Sequence, residues 1–351
     1  MARSLDAMLS CPAPLDHGDI VELAHGGGGR KTAQLIEKLF APAFRNPQLE
    51  PLGDGAIVTV GAERLAFTTD TFVVKPAFFP GGDIGSLAVH GTVNDLAMCG
   101  AAPLFLSAGY LLEEGFPMRD LARVVDSMAA ACRSVGVLLV TGDTKVVDRG
   151  KGDGVYVNTS GIGRVREGVS VGPDRARPGD AVLVSGPVGD HGIAVMAARE
   201  GIEFETRLVS DSAPVVRPVQ ALLEAVRETR VLRDPTRGGL ATALCEIAVS
   251  SRVGIRLEET AVPVREEVRG ACELLGFDPL YVACEGRFLA IVPGERADEA
   301  LAAVRSQPGG EAACRIGSVQ AEDPGRLVLH TAIGSHRLLE RLSGEQLPRI
   351  C

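Results

Sequence analysis

Residues 82–99 read GDIGSLAVHGTVNDLAMC, and this stretch decides how the first half of the chain is interpreted. Ile84, Ala88 and Gly91 are spaced as on one face of a helix with about 3.6 residues per turn, so a helix is predicted over residues 82–99. Asp95 continues the same face. A carboxylate beside an apolar face needs a partner or a metal ion, which makes Asp95 a candidate ligand.

Short apolar runs typical of β-strands lie on both sides of this helix. In the first half of the chain they cover residues 57–60, 64–70, 137–141 and 155–158, with helical stretches between them. In the second half they cover residues 181–185, 254–258, 280–283, 288–292 and 327–331, and residues 240–248 have helical spacing that Gly254 is expected to end. This alternation predicts an α/β (α+β) fold.

The segment 172–180 is rich in glycine and proline and separates two halves of similar size. We place a domain boundary there, because such clusters form turns between periodic segments. A length of 351 residues is enough for about two domains. We expect a flexible arm with a glycine-rich segment over residues 1–40, a first domain over 41–170, a second domain over 171–340 and a mobile tail over 341–351.

The composition indicates a folded chain that does not bind nucleic acid. Apolar residues make up 46% of it, and 36 Lys and Arg residues against 45 Asp and Glu residues give a formal charge of −9. Proteins that bind nucleic acid or anionic membranes usually carry the opposite sign. The N-terminus lacks the pattern of a secretory signal and no apolar run approaches a membrane span, so we expect a cytoplasmic location.

Eight cysteines stand at positions 11, 99, 132, 245, 272, 284, 314 and 351, without a Cys-x-x-Cys pair. This spacing argues against a structural zinc site, and we expect reduced thiols. Cys351 differs from the others because it ends the sequence and follows Pro348-Arg349-Ile350. We expect its thiol to be exposed, where it can act as a nucleophile or a carrier; a terminal cysteine without a function is the alternative.

Four aspartates lie at the ends of apolar runs or in glycine turns, in the strings Gly53-Asp54-Gly55, Thr68-Thr69-Asp70, Val93-Asn94-Asp95 and Thr141-Gly142-Asp143-Thr144. Mg²⁺ prefers carboxylate oxygens and is usually bound together with a nucleotide's phosphates. The four carboxylates could therefore make one magnesium site. The alternative for each of them alone is a turn former or a helix cap.

Asp143 and Lys145 are two residues apart on an extended stretch. Their side chains should point the same way, about 6 to 7 Å apart along the strand. They form either a structural ion pair or a pair in which the lysine is held against a phosphate or a reacting carboxamide.

The string Gly26-Gly27-Gly28-Gly29-Arg30-Lys31-Thr32 precedes a helix-like run. A Walker P-loop is excluded, because that pattern requires glycine where Arg30 stands. The glycine amides could still hold a phosphate with help from the two basic residues. A flexible segment without a ligand is the alternative.

Two features of the second half leave their role open. Thr236, in Arg233-Asp234-Pro235-Thr236-Arg237-Gly238-Gly239, is a candidate N-cap of the helix over residues 240–248. Glu285 lies between two predicted strands and is either a general base or a surface turn residue.

Taken together, six strings resemble the HypE family of hydrogenase maturation factors, within the PurM-like, AIR synthase-related superfamily of ATP-binding proteins. The strings are Thr69-Asp70-Thr71-Phe72-Val73-Val74, Phe78-Phe79-Pro80-Gly81-Gly82-Asp83-Ile84-Gly85, Gly91-Thr92-Val93-Asn94-Asp95-Leu96-Ala97, Gly142-Asp143-Thr144-Lys145-Val146-Val147, Arg233-Asp234-Pro235-Thr236-Arg237-Gly238-Gly239-Leu240 and Leu347-Pro348-Arg349-Ile350-Cys351.

The resemblance implies a PurM-like fold of two AIR synthase-like domains. The N-terminal domain would bind ATP and Mg²⁺ and dimerise through its sheet, so that strands of two subunits close a β-barrel, and the C-terminal domain would be an α/β sandwich. The implied reaction starts from a carbamoyl group that a carbamoyltransferase, HypF, places on the terminal cysteine. ATP-dependent dehydration then gives a thiocyanate, whose cyanide passes to iron on a HypC–HypD complex during assembly of the [NiFe]-hydrogenase centre.

The resemblance also implies roles for particular residues. Cys351, Lys145 and Glu285 would be catalytic: Glu285 would help to remove the amide protons and Lys145 would orient and stabilise the carboxamide. The residues implied in binding ATP are Asp54, Asp70, Asp95, Asp143, Gly27, Gly28, Asn94 and Thr144, and the four aspartates among them would also bind the metal. Gly55 stands where the superfamily often has a second aspartate, so one carboxylate of the pattern is missing.

Two other functions fit the residues in part. The aspartates alone would also suit another PurM-like kinase or synthetase that phosphorylates a small molecule. The tail alone would suit a non-catalytic scaffold for metallocentre assembly.

Overall fold

Two β-sheets organise the residues that the computed structural model describes, which are 20–202, 208–343, 347 and 349–351. The first sheet contains β1 (Ala56–Val60), β2 (Glu63–Phe72), β5 (Ala101–Glu113), β6 (Leu138–Val147) and β7 (Val155–Val165), and a hairpin of β3 (Phe78–Phe79) and β4 (Gly82–Asp83) stands beside it. The second sheet contains β8 (Ala181–Val184), β9 (Val231–Arg233), β10 (Gly254–Glu258), β11 (Leu289–Val292), β12 (Cys314–Gln320), β13 (Leu327–His330) and β14 (His336–Leu339). The helices are α1 (Arg30–Leu35), α2 (Ala41–Ala43), α3 (Ile84–Met98), α4 (Met118–Val135), α5 (Asp190–Glu200), α6 (Val216–Ala225), α7 (Gly239–Ser251), α8 (Glu266–Leu275) and α9 (Ala297–Arg305).

The first sheet has the order β1-β2-β7-β5-β6, and β5 with β6 is its parallel pair. Alternation along β2 separates its two faces: Ala66 and Phe72 are buried on the side of α3, and Phe67 is exposed on the other side. In the single chain the sheet is open, so the barrel that the resemblance implies requires a second copy.

The second sheet has the order β14-β13-β10-β12-β8-β11-β9. One hydrophobic cluster spans both halves of the chain, since it contains Leu87 and Val89 of α3, Leu222 of α6 and Phe288 next to β11. The two halves therefore share part of their core. Segment 172–180 connects β7 to β8 through turns, as its glycines and prolines predicted. The division into domains and arms stays a prediction, and residues 1–19 of the proposed arm lie outside the described part of the chain.

The predicted elements are largely confirmed. The helix over residues 82–99 is α3, the strands at 57–60, 254–258, 288–292 and 327–331 agree with the structure to within a residue, and β2, β6 and β7 are longer than predicted. The long strand β5 was missed. It lies within a stretch of alanines and leucines that carries little alternation of polar and apolar residues.

Three local predictions were wrong. Residues 280–283 do not form a strand, because the carboxylate of Asp278 accepts the N–H of Leu280 and starts a 3-10 turn over Pro279–Tyr281. Thr236 does not cap α7, whose N-cap is Gly238, with a φ of 81°. The helix ends at Arg252, with a φ of 55°, whereas Gly254 begins β10.

Among the helices of the described part of the chain, none combines the length and the apolar character that crossing a bilayer demands.

The shared core gives a first prediction. Leu222→Ala empties a site that is 0% exposed, and we expect it to lower the free energy of unfolding by about 2 to 5 kcal/mol. Leu274→Ala on α8 is the matched control, because Leu274 is 73% exposed and such a substitution changes stability by less than about 0.5 kcal/mol. Urea unfolding followed by circular dichroism measures both. Equal losses in the two variants would contradict the described core.

Candidate active site

Three buried or half-buried carboxylates meet between the two halves of the chain. Asp54 precedes β1, Asp95 lies on α3 and Asp234 follows β9, and each offers an oxygen within 4.8 Å of the others. The apolar face of α3 that the sequence indicated does carry Asp95 into this cluster. Hard carboxylate oxygens at this spacing are the ligand set that Mg²⁺ prefers.

Burial controls the charge of this cluster. It raises the pKa of Asp54 to about 6 and that of Asp234 to about 8, and it raises the pKa of Asp95 well above its ordinary value. The neighbouring carboxylates raise the pKa values of Asp95 and Asp234 further. A bound divalent cation would relieve this repulsion, and in this sense the three residues fit a metal ion.

One arginine and one hydroxyl partner the cluster. Arg233 forms an ion pair of 2.6 Å with Asp54 and another of 2.9 Å with Glu246. The hydroxyl of Thr68 lies 2.8 Å from a carboxylate oxygen of Asp95 and 2.8 Å from the carbonyl oxygen of Asp54. A single cation against three carboxylates leaves negative charge in the site.

Gly55, at the position of the missing carboxylate, has little room for a side chain. A Cβ atom there would lie 3.0 Å from the sulfur of Cys99 and 3.1 Å from the carbonyl oxygen of Phe67. The third carboxylate of the cluster is instead Asp234, which comes from the second half of the chain.

Asp70 lies on β2, on the same face of the sheet as α3. Burial raises its pKa, and the guanidinium of Arg237, which lies 3.8 Å away, opposes that increase. Its charge acts on both Asp95 and Asp234. Asp70 thus borders the carboxylate cluster.

The glycine run lies against Arg237. The guanidinium of Arg237 donates a hydrogen bond of 3.2 Å to the carbonyl of Gly26. A Cβ atom on Gly28, whose φ is 74°, would lie 2.6 Å from the Cβ of Arg237, so only glycine permits this approach. Gly27 and Arg237 also line a small cavity next to the tail residue Ile350. The run is therefore next to the site, and its contact with a nucleotide stays a prediction.

The end of the chain lies inside the site. The N–H of Val73 donates to the main-chain oxygen of Cys351 at 3.0 Å. The N–H of Lys75 donates to the carbonyl oxygen of Arg349 at 3.2 Å. The guanidinium of Arg349 is bound by Asp153. The last three residues thus lie along the segment that follows β2 without forming a strand, since Arg349 has a φ of 54°.

The thiol of Cys351 is buried, which corrects the expectation that it is exposed. The side chain is 8% exposed and packs with Ile350 into the core that the two halves share. Burial raises the pKa of the thiol and Arg237 opposes this, while Glu285, Asp70 and Asp234 add to the increase. Movement of the tail, which we expect from the sequence, stays a prediction.

Glu285 is 3% exposed and is not a surface turn residue. Burial and the charges of Asp234 and Asp70 raise its pKa well above the ordinary value. Its main chain is fixed, since its N–H donates to the carboxylate of Asp211 at 3.0 Å. Among the described residues, nothing hydrogen-bonds to its Oε1 atom. A buried carboxyl group with an unused oxygen beside a thiol suits proton transfer.

Asn94 holds the main chain around Glu285. Its amide donates to the carbonyls of Ala213 and Glu285 at 3.0 and 3.2 Å and accepts the N–H of Val215 at 2.8 Å. These three contacts engage the amide with protein groups, and its predicted contact with the nucleotide is untested.

Asp143, Thr144 and Lys145 lie elsewhere in the single chain. They belong to β6, the edge strand, and Lys145 forms an ion pair of 2.7 Å with Asp143. Asp143 pairs with Gly109 on β5, Gly109 pairs with Asn158 on β7, and Asn158 pairs with Thr71 on β2. Strands β2 and β6 are therefore three strand spacings, or about 14 Å, apart. By alternation, Thr71 and Asp70 point to opposite faces. The structure therefore does not bring these three residues to the cluster within one chain.

Asp234, Arg233, Arg237, Asp211 and His191 are site residues that sequence reasoning did not select. The first three lie in the string 233–239, which the resemblance had quoted, so that string was the available signal. No pattern in the sequence pointed to Asp211 or His191.

The pKa shifts of the cluster predict a pH-dependent response to magnesium. The folded pKa values of Asp54 and Asp234, about 6 and about 8, exceed their reference value of 3.8. The stability that these groups contribute is complete below about pH 4 and is lost as the pH rises through 6 and 8. We therefore expect Mg²⁺ to raise the Tm more at pH 8 than at pH 5, measured by differential scanning fluorimetry after removal of divalent ions.

Asp234→Asn tests the same ligand set. It should raise the Mg²⁺ concentration for half of the Tm shift about tenfold, which corresponds to roughly 1.4 kcal/mol. Asp126→Asn is the control, because Asp126 is exposed on α4. A response that is the same in wild type and Asp234→Asn at pH 8 would exclude this cluster as the metal site.

Comparison with known proteins identifies two known domains in the chain. The N-terminal domain of AIR synthase related proteins matches residues 52–165, and their C-terminal domain matches residues 177–330. The carbamoyl dehydratase HypE of Azotobacter vinelandii is 55% identical over 331 residues, which cover 94% of this chain and 97% of the relative.

Two solved structures are similar over most of the chain. A HypE–HypF complex has a TM-score of 0.84 at 46% identity and covers 88% of this chain and 99% of its own. HypE in complex with ATP has a TM-score of 0.80 at 52% identity and covers 95% of this chain and 100% of its own. With these identities over nearly the full length, the chain belongs to the HypE family of carbamoyl dehydratases, in the AIR synthase-related superfamily.

Proposed function

We propose that this chain is an ATP-dependent carbamoyl dehydratase that acts on a carbamoyl group carried by its own Cys351 and so supplies cyanide for [NiFe]-hydrogenase maturation. The observation that carries the proposal is the docked tail: Cys351 is buried, and the charges of Arg237, Glu285, Asp70 and Asp234, the last of which belongs to the carboxylate cluster, act on its thiol. A HypE relative solved with ATP supports the nucleotide.

The proposed reaction removes one water from the S-carbamoyl group. The carboxamide oxygen attacks the γ-phosphorus of ATP, the bond from that phosphorus to the β–γ bridging oxygen breaks, and ADP leaves. The C–O bond then breaks with loss of phosphate, both amide protons depart, and R–S–CONH₂ becomes R–S–C≡N. Phosphorylation is needed because an amide oxygen is a poor leaving group.

Glu285 is placed to accept an amide proton. Its Oε1 atom has no hydrogen-bond partner among the described residues, and its main chain is fixed by Asp211 and Asn94. Arg237 faces both Glu285 and Cys351 and favours the ionised carboxylate. The raised pKa keeps the carboxylate basic enough to take a proton once it is ionised.

Mg²⁺ would be held by Asp54, Asp95 and Asp234 and bordered by Asp70, and when bound it would neutralise charge on the transferred phosphoryl group. The glycine run at Gly27 and Gly28 would lie over the nucleotide, since Gly28 packs on Arg237. A cavity of about 310 Å³ is lined in part by Asp54, a member of the cluster, and by Arg233.

The first sheet carries the features of a subunit interface. Edge strand β6 exposes Leu138, Val140 and Val146 by 62%, 58% and 64%. A long, apolar and unpaired edge strand is normally covered, since it otherwise promotes aggregation. We propose a homodimer in which this sheet meets that of a second copy to close a barrel.

The second copy would also complete the site. Within one chain, Lys145 lies about 14 Å across the sheet from the segment that binds Cys351, and it is 70% exposed. A lysine side chain is too short to cover that distance. We therefore propose that Lys145, with Asp143 and Thr144, acts on the Cys351 of a second copy.

Loading and unloading of the tail would take place outside the cleft. Burial raises the pKa of the Cys351 thiol, so the docked sulfur is a poor nucleophile toward a carbamoyl donor. We propose that the tail leaves the site to receive the carbamoyl group from HypF and to deliver cyanide to iron on HypC–HypD.

Free thiols at the described cysteines support a cytoplasmic location.

Mass spectrometry of the C-terminal peptide tests the reaction. After incubation with the carbamoyl donor system and ATP, the wild-type peptide should gain a carbamoyl group and then lose one water. Cys351→Ala should show neither change and should still fold, whereas Cys314→Ala, which alters a half-buried cysteine elsewhere, should react like wild type. A Cys351→Ala protein that still supports cyanide formation would refute the proposal.

Mixed dimers test the role of the second copy. Lys145→Ala and Cys351→Ala should each be inactive as homodimers. When the two are mixed and allowed to exchange subunits, the Cys351 of one would meet the Lys145 of the other in a mixed dimer. Random exchange makes half of the dimers mixed, and each mixed dimer has one complete site. Up to a quarter of the wild-type number of complete sites should therefore form. Dehydration by the mixture confirms action across the dimer. Continued inactivity despite verified exchange would contradict it.

A further inference from the structure

The carbonyl of Ile350 is bound differently from its neighbours in the tail. The main-chain oxygens of Arg349 and Cys351 accept N–H groups of the segment 73–75, whereas the carbonyl oxygen of Ile350 lies 3.0 Å from Nε2 of His191. His191 belongs to α5, in the second half of the chain.

The surroundings of His191 select one tautomer. The side chain is 0% exposed, and burial lowers its pKa to about 4, so the imidazole is neutral and carries one N–H. Its Nδ1 lies 2.7 Å from the hydroxyl of Ser210, and that hydroxyl already accepts the N–H of Ser212 at 3.0 Å. The carbonyl of Ile350 can only accept a hydrogen bond, so the single imidazole proton lies on Nε2, and Nδ1 accepts the proton of the Ser210 hydroxyl.

We propose that His191, oriented by Ser210, is a positioning residue that latches the tail and sets how often the Cys351 sulfur lies beside Glu285. This inference rests on the proposed function, in which the docked tail is the reacting state. His191 does not touch the sulfur, and it acts through the main chain of the preceding residue.

The buried position of His191 gives the latch its strength. When the tail leaves, the Nε2–H group loses its acceptor inside the protein, and such a group must find water or remain unpaired. The penalty falls on the undocked state alone. An edge-to-face contact with Phe79, at 5.5 Å between ring centres, keeps the imidazole in place meanwhile.

The latch and the proposed base are held by adjacent residues. Ser210 orients His191, and Asp211 accepts the N–H of Glu285 at 3.0 Å. The N–H of Ser210 in turn donates to the carbonyl of Pro80 in the first half of the chain at 2.8 Å. The tail carbonyl and the main chain of Glu285 are thus located relative to one short segment.

The rate at which iodoacetamide alkylates Cys351 in the full-length protein measures undocking directly, with the C-terminal peptide quantified by mass spectrometry. His191→Phe keeps an aromatic ring and removes the donor, so we expect alkylation to become about five- to tenfold faster. His191→Gln retains a donor near the position of Nε2 and should recover most of the wild-type rate. His90→Gln is the matched control: His90 is half-buried and lies 3.2 Å from the hydroxyl of Ser212, and no hydrogen bond joins it to the described residues of the tail.

Ser210→Ala provides a second test if His191→Phe fails to fold. It removes the group that fixes the tautomer and should accelerate alkylation by a smaller factor, about two- to fivefold. The inference is overturned if a folded His191→Phe or Ser210→Ala protein is alkylated at the wild-type rate, or if His191→Gln reacts as fast as His191→Phe.

Dehydration of the carbamoylated protein separates the latch from the proposed function. We expect His191→Phe to slow the loss of water severalfold at saturating ATP without changing the ATP concentration needed for half of the maximal rate. The alkylation assay requires neither ATP nor a carbamoyl group. A wild-type protein that fails to dehydrate would therefore refute the proposed function and leave the latch to be judged on alkylation alone.

Discussion

The burial of carboxylates between the two halves of the chain is the constraint on which the rest of the site depends. Asp54, Asp95, Asp234 and Glu285 all have raised pKa values, and burial is the largest cause for each. Arg233 and Arg237 offset only part of this negative charge. A site with such an excess gains stability from a bound cation.

The same constraint explains how the tail is held. Hydrogen bonds from Val73, Lys75 and His191 and the ion pair of Arg349 with Asp153 fix its last residues, and none of these contacts requires a charge on the sulfur. A thiolate entering this site would meet Glu285, Asp70 and Asp234, and the pKa of Cys351 is accordingly raised. An uncharged carbamoyl or cyano group on the sulfur avoids this repulsion. The electrostatics therefore favour the dehydration step inside the cleft and the nucleophilic step outside it.

Sequence patterns predicted local structure well and spatial relations poorly. Helical spacing identified α3 and its buried Asp95, since a face of a helix is a local property of the chain. The order of strands is not local, so nothing in the sequence showed that β6 lies three strands from β2, or that Asp143 and Asp70 point to opposite faces. Burial of Cys351 was missed for the same reason, because it depends on a groove formed by distant segments.

Strand order also links the site to the oligomeric state. The carboxylate cluster and the docked tail use residues of one chain, whereas the motif around Lys145 lies on the exposed apolar edge of the same sheet. Covering that edge with a second copy would bury Leu138 and Val140 and would bring basic and acidic side chains of β6 toward another chain. The hydrophobic contact that stabilises a dimer would then also deliver the missing lysine. Catalysis would in that case depend on subunit concentration, because a lone chain holds the sulfur without the residue proposed to orient its carboxamide.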